Sequence, residues 1–161
     1  SALPFSGGTF DLVTSFDVLY HRAVADEQVA LRETWRVLKR EGRLLIRLPA
    51  YRWLMSKHDR AVHTRRRYTA GEVRVMLGRA RFEVERLSYV NSLLFPLPLL
   101  QRTVERVFPA AEQTGSDLRT PPDIANRLLR EVLAREAAWL RGGGTFGWGL
   151  SVLCLARKGM G

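Results

Sequence analysis

The sequence has a single cysteine and no long apolar run. Cys154 lies in the apolar stretch "LSVLCLA", and without a second cysteine the chain cannot form an internal disulfide. We therefore expect a reducing compartment, the cytoplasm. No stretch approaches the roughly 20 apolar residues that a membrane-spanning helix requires, and the first residues lack the basic start and apolar middle of a signal peptide. The sequence thus predicts a protein without a transmembrane segment or a disulfide framework.

Acidic residues are scarce relative to basic ones. The chain has 16 Asp and Glu against 26 Lys and Arg, which gives a net charge of +10. Such a surplus favours anionic partners, for example phosphates or nucleic acid. The basic residues are spread along the chain, so we expect most of them on solvated helix faces. With 161 residues, 46% of them hydrophobic and 26% charged, the chain is expected to fold as one domain over residues 1–161.

No glycine-rich stretch follows a predicted strand and opens a helix. Such a loop lets backbone N–H groups and a helix N-terminus approach a cofactor closely. The one glycine-rich run, "RGGGTFG" at 141–147, follows a predicted helix and precedes a predicted strand. Its glycines are therefore expected to end that helix.

Apolar periodicity predicts alternating strands and helices. Residues 10–18, "FDLVTSFDV", predict a buried strand. Asp26 is expected to cap a helix over about 27–39 that Gly42 ends, and 43–50 predict a second strand. A strand, a helix and a strand over about 40 residues indicate a βαβ unit in a parallel sheet.

The second half of the chain predicts further helices and strands. Thr69 and Glu72 form a capping-box pattern for a helix that reaches about Ala80. The other predicted elements are a half-exposed strand at 81–91, a short helix within 93–108, a mobile loop at 109–121, a long helix over 122–140 and a central apolar strand over 147–158.

Four motifs, in this order, resemble the latter half of a class I S-adenosylmethionine-dependent methyltransferase of the small-molecule branch called type 11. They are "LPFSGGTFDLVTSFDVLYH", "ETWRVLKREGRLLIRLPAYRWLMSKHD", "RRRYTAGEVRVML" and the closing "GLSVLCLARK". The resemblance implies an α/β fold, a partial Rossmann-like methyltransferase sheet with an antiparallel last strand. It also implies an enzyme that moves a methyl group from S-adenosylmethionine to a small acceptor, with the basic surplus favouring an anionic one.

The chain departs from this family in ways that matter for the cofactor. Arg40, Glu41 and Gly42 stand where the family usually has Pro-Gly-Gly, and Tyr20 stands where it often has Glu. The family's glycine-rich loop and the acidic residue after its second strand are not in the sequence. We therefore expect weak or absent binding of S-adenosylmethionine by this chain alone. The strand at 10–18 would present a free apolar edge, through which the chain is expected to self-associate.

The resemblance also implies two groups of site residues near the carboxyl ends of the strands. On the cofactor side these are Leu3, Phe16, Asp17 and His21. On the acceptor side, His58 or His63 would serve as a general base, since imidazole titrates near neutral pH. Acceptor-binding residues would be Tyr51, Trp53 and Tyr68 as flat apolar walls, and Lys57, Arg65, Arg66 and Arg67 as cations for a phosphate or carboxylate.

Other interpretations of the segment "SKHDRAVHTRRRYT" at 56–69 stay open. Its arginines would instead cap and solvate a loop, with the aromatic side chains holding it to the core. A metal site would have only His58, Asp59 and His63, whose spacing differs from a helical zinc pair, so no metal is predicted. The basic 57–67 segment also suits a nucleic-acid-binding or a non-catalytic interaction module, although it is short and DNA is not the expected partner.

Overall fold

The computed structural model describes residues 2–55, 59, 63–96 and 123–159. Its elements are β1 (Phe10–Phe16), α1 (Glu27–Val37), β2 (Leu38–Pro49), a 3-10 helix (Arg52–Leu54), α2 (Ala70–Arg79), β3 (Phe82–Val90), α3 (Asp123–Arg141) and β4 (Ser151–Lys158). The strands form one sheet in the order β1-β2-β4-β3. β1 and β2 are parallel, and β4 is antiparallel to both of its neighbours. The predicted α/β class, the antiparallel last strand and its central place are confirmed.

α1 begins where predicted and ends earlier. The Asp26 carboxylate accepts the N–H of Gln28 at 2.7 Å and so caps the first turn. The helix stops at Val37 because Leu38 is extended, with ψ 139°. The predicted helix end near residue 39 and the predicted strand start at 43 are therefore wrong, since β2 already begins at Leu38.

Gly42 lies inside β2 and does not end a helix, contrary to the prediction. The β1–β2 register shifts between Phe10 and Leu12, and Glu41 has φ 64°, which is the geometry of a bulge. A Cβ at Gly42 would lie 2.9 Å from the carbonyl oxygen of Lys39. Only glycine allows this close backbone approach without a shift.

One face of the sheet carries the core. Apolar side chains of β2 and β4 alternate inward and meet residues of α1 and α2, as expected for a strand period of two. The members of this core are Leu31, Leu44, Ile46, Leu48, Val73, Leu77, Val152, Cys154 and Ala156, all at most 1% exposed. The capping box of α2 is confirmed, because Thr69 and Glu72 each bond the other's backbone N–H.

α3 is attached to the loop after β3 through polar contacts. The buried Glu136 carboxylate accepts the N–H of Ser92 at 2.8 Å and that of Leu93 at 3.1 Å. The Arg86 guanidinium donates to the carbonyls of Leu140 and Gly144. These bonds fix the last turns of α3, as predicted for a helix ending before "RGGG".

Two predicted features lie outside the described residues, namely the mobile loop at 109–121 and most of the short helix within 93–108. In the parts of the chain that the structure describes, no helix is long and apolar enough to cross a membrane.

Candidate functional site

The carboxyl ends of β1, β2 and β3 lie at one edge of the sheet, and the backbone there is strained. Asp17, Tyr51 and Asn91 follow these three strands with φ of 58°, 56° and 57°. Positive φ in residues other than glycine costs about 1–3 kcal/mol, but Glu41 and Arg81 near the opposite edge share it, so strain alone does not identify a site. Open α/β sheets bind ligands outside the carboxyl ends of their strands. This edge is therefore the candidate site.

Two of the predicted histidines meet at this edge. The ring centroids of His21 and His63 are 5.6 Å apart. The segments that carry them are bridged, because the Arg22 N–H donates to the His63 carbonyl at 3.1 Å and the Arg65 N–H donates to the Tyr20 carbonyl at 2.9 Å. The structure thus places His21, which was predicted on the cofactor side, next to His63, which was predicted as a candidate base.

The end of β1 is held by an ion pair from β2. The Asp17 carboxylate pairs with the Arg47 guanidinium, which also lies 5.9 Å from the centre of the Phe16 ring. Phe16 and Asp17 were predicted here, and Arg47 was missed. Its signal in the sequence is a charge inside the otherwise apolar "LLIRLP".

Aromatic rings form the second wall of the site. Tyr51 stacks on Trp53 with a centroid distance of 5.6 Å and on Tyr89 at 5.2 Å, and its edge contacts Phe95 at 6.0 Å. Burial, together with a hydrogen bond to Tyr89, raises the pKa of Tyr51 to about 12, so its phenol stays protonated at neutral pH. Tyr51 and Trp53 were predicted. Tyr89 and Phe95 were missed, because nothing local in the sequence relates them to Tyr51.

The predicted cationic residues of the segment are paired within the chain. Arg65 and Arg66 bind the Glu27 carboxylate at 3.0 Å and 3.1 Å. Arg67 binds both carboxylate oxygens of Asp59, at 3.0 Å and 3.1 Å. These contacts favour the interpretation in which the arginines hold the loop in place. Glu27 was not predicted as part of the site, and its only local signal is its place in the first turn of α1.

Tyr68 anchors the 63–68 segment through its buried side chain. Its side chain is fully buried, and its hydroxyl donates to Glu27 at 2.5 Å. Burial, and then this hydrogen bond, raise the pKa of the Tyr68 phenol well above its usual value. With no exposed surface, the ring lies behind the site and its predicted contact with an acceptor stays a prediction.

Leu3 lies away from the other predicted cofactor-side residues. Its N–H donates to the Glu33 carboxylate at 2.9 Å, and its carbonyl accepts from Arg36 at 3.2 Å. Both partners belong to the second half of α1, near the start of β1, whereas Phe16 and Asp17 lie at the end of β1.

Lys57 and His58 fall outside the described residues, so their predicted roles stay predictions. Within the part of the chain that the structure describes, no group of three or more His, Cys, Asp or Glu side chains could hold a metal ion.

Comparison with known proteins identifies the fold. Residues 1–46 match the family model described as a methyltransferase domain. The fold is that of a class I methyltransferase. A chain from the complex between the Haloferax volcanii methyltransferase and its Trm112 activator shares it at 19% identity, over 98% of this chain and 58% of that one, with a TM-score of 0.53. The methyltransferase resemblance predicted from the sequence is confirmed.

Two further solved structures with the methyltransferase fold differ in activity. Phosphoethanolamine N-methyltransferase 2 of Haemonchus contortus, solved with S-adenosyl-L-methionine, is 15% identical over 97% of this chain and 35% of that chain, with a TM-score of 0.52. The [4+2]-cyclase SpnF is 19% identical over 99% of this chain and 53% of that chain, also with a TM-score of 0.52. No curated protein matches the sequence. This chain spans between 35% and 58% of the length of these three structures.

Proposed function

We propose that this chain contributes the acceptor side and part of the cofactor side of the active site of an S-adenosylmethionine-dependent methyltransferase. One observation carries the proposal: Phe16, Asp17 and His21 lie inside the 1–46 match to the methyltransferase family and also at the strained edge of the sheet. The neighbour solved with S-adenosyl-L-methionine supports this compound as the methyl donor.

The residues of the edge suit a transfer that depends mainly on alignment. When bound, S-adenosylmethionine supplies an electrophilic methyl group. His63 is proposed to take the proton of the acceptor, with His58 as the alternative base, and such a group contributes typically 10²–10⁴-fold in rate. Tyr51 and Trp53 would orient the acceptor and exclude water, and Arg47 would hold Asp17 at the cofactor side.

A small acceptor is the proposed substrate class, and the net charge of +10 favours an anionic one. Because Arg65 and Arg67 already bind Glu27 and Asp59, we propose that they act chiefly by fixing the 63–68 segment. A direct grip on an acceptor by either one would require its ion pair to open. The same pairing leaves nucleic-acid binding through 57–67 without support from the described residues.

We also propose that the isolated chain binds the donor weakly and self-associates. Among the described strands, β1 forms one end of the sheet, and Leu12 on it is 51% exposed. An unpaired apolar edge strand seeks a partner. A cytoplasmic location stays a prediction.

Calorimetry with S-adenosylmethionine tests the proposal on this chain and on a longer form of the protein. We expect weak or absent binding by the chain and measurable binding by the longer form, reduced by Asp17→Asn and by His21→Ala. Equal and tight binding by both forms would refute the expected dependence on residues outside this chain. Binding that neither substitution weakens would refute the proposed cofactor side.

The proposed base is tested separately, in a longer form that binds the donor. Transfer of a radiolabelled methyl group to a panel of small anionic acceptors is measured with the parent sequence and with His63→Ala. We expect the substitution to lower the turnover rate about 10²–10⁴-fold while donor affinity stays unchanged. An unchanged rate would exclude His63 as the base.

A further inference from the structure

A small cavity lies at the opposite edge of the sheet, between α1 and α2. It has a volume of about 210 Å³ and is lined by Arg32, Trp35, Arg79, Ala80 and Arg81. Pockets for drug-sized ligands have volumes of roughly 300–1,000 Å³, so this cavity suits a small ion or group. It is distinct from the candidate site, because Arg81 directly precedes β3 whereas the candidate site follows the end of that strand.

Three arginines surround this cavity without carboxylate partners. In the described parts of the chain, Arg32, Arg79 and Arg81 form no ion pair and no side-chain hydrogen bond. The arginines of the candidate site differ, since Arg65 and Arg66 are each paired. Three unpaired like charges around one cavity repel each other, and a bound anion would relieve that repulsion.

The position of α2 explains only part of this arrangement. Arg79 is the last residue of α2, and a cation there is favoured by the helix dipole. That effect does not account for Arg32, which projects from α1. All three arginines are exposed, so the case for a ligand depends on their convergence on one cavity without carboxylate partners among the described residues.

The Trp35 ring forms one wall of the cavity. Its indole Nε1 has no acceptor among the described residues, but this atom is buried away from the solvent-reachable cavity. The Lys158 ammonium lies 3.9 Å from the centre of the same ring and donates to the Leu38 carbonyl at 2.7 Å.

We propose that this cavity binds a small phosphate-bearing anion, either inorganic phosphate or the phosphate group of a small ester. The guanidinium groups of Arg32, Arg79 and Arg81 would donate to its oxygens, and the Trp35 ring would form one wall of the site. A tetrahedral phosphate offers enough acceptors for several planar guanidinium groups at once, whereas a carboxylate is filled by fewer. This site is independent of the proposed methyl transfer.

Calorimetric titration of the 161-residue chain with inorganic phosphate, at constant ionic strength in a phosphate-free buffer, tests the proposal. The site variant combines Arg32→Gln, Arg79→Gln and Arg81→Gln. The matched control combines Arg127→Gln, Arg130→Gln and Arg135→Gln on exposed positions of α3. Each set removes three charges, so the net charge falls from +10 to +7 in both, and circular dichroism verifies that both variants fold.

We expect saturable binding of one phosphate per chain. The site variant should weaken it by about tenfold or more, the effect of losing one charge-assisted hydrogen bond, whereas the control should keep the parent affinity. Absence of saturable binding, or equal loss in the site variant and the control, would overturn the proposal.

Three other titrants separate the ligand classes. Glycerol phosphate that binds more tightly than inorganic phosphate would identify a phosphate ester, and the reverse order would identify the free ion. If acetate binds as tightly as phosphate, the proposal that the cavity prefers a phosphate is overturned. A single-stranded oligonucleotide tests for binding through general charge. If its affinity falls equally in the site variant and in the control, its binding depends on the net charge and not on this cavity.

Discussion

At the scale of single residues, Glu27 joins α1 to the segment that carries the candidate base. Its carboxylate accepts from Arg65 at 3.0 Å, from Arg66 at 3.1 Å and from the Tyr68 hydroxyl at 2.5 Å. As the first residue of α1 it also lies where a negative charge suits the helix dipole. The position of His63 therefore depends on a residue more than 30 positions away in the sequence.

Tyr68→Phe is expected to destabilise the protein by about 1–2 kcal/mol, because it removes a buried hydrogen bond to a carboxylate and leaves the ring in place. Urea unfolding followed by circular dichroism measures the change. The matched control is Tyr20→Phe, since the Tyr20 hydroxyl bonds no described residue. Equal effects of the two substitutions would show that the Tyr68–Glu27 bond contributes no stability of its own.

At the scale of elements, the helix starts were the most predictable features. Asp26 and the Thr69–Glu72 pair are local signals, and both helices begin where these residues cap them. The start of β2 was missed because "LKREG" has a helical pattern. Tertiary pairing with β1 and a bulge at Gly42 place these residues in the sheet instead.

Thr69→Ala is expected to lower the free energy of unfolding by about 1 kcal/mol, since it removes the side-chain half of the capping box of α2. Thr69→Ser keeps a hydroxyl at the same place and should restore most of the loss. Urea unfolding of the three proteins gives the comparison. A serine variant as unstable as the alanine variant would indicate that the lost methyl group, and not the cap, causes the effect.

The candidate site was only partly predictable at this scale. Strand ends and the resemblance to methyltransferases located Asp17, His21 and Tyr51. Arg47 and Tyr89 reach the site through pairing of strands that are distant in sequence, which no local pattern specifies. The arginines of 65–67 were identified as a cluster, but their partners depend on where α1 begins and where Asp59 lies.

At the scale of the whole molecule, buried groups that must stay protonated set an alkaline limit. Burial raises the pKa of the Cys154 thiol from 9.0 to about 12, and burial raises that of Tyr51 from 10.0 to about 12. The unfolded chain loses these protons first as the pH rises. Their contribution to stability is therefore complete below about pH 9 and is lost as the pH rises towards 12.

We expect the free energy of unfolding to fall by on the order of 1–4 kcal/mol between pH 9 and pH 12. Urea unfolding at a series of pH values measures this slope. Cys154→Ala lowers stability at every pH because it leaves a small void, but it should also reduce the slope. A slope unchanged by this substitution would mean that the thiol does not contribute to the alkaline limit.

The sheet as a whole leaves β1 at one end of its described strands, with Leu12 and Phe16 about half exposed on it. We expect the isolated chain to form dimers or larger species in sedimentation velocity over a range of concentrations. Leu12→Lys should shift it towards monomer, because a charge on an edge strand opposes pairing with another chain. The matched control is Leu128→Lys, which adds the same charge on the exposed face of α3. Association abolished equally by both substitutions would argue against the β1 edge, and a monomeric parent chain at all concentrations would refute self-association altogether.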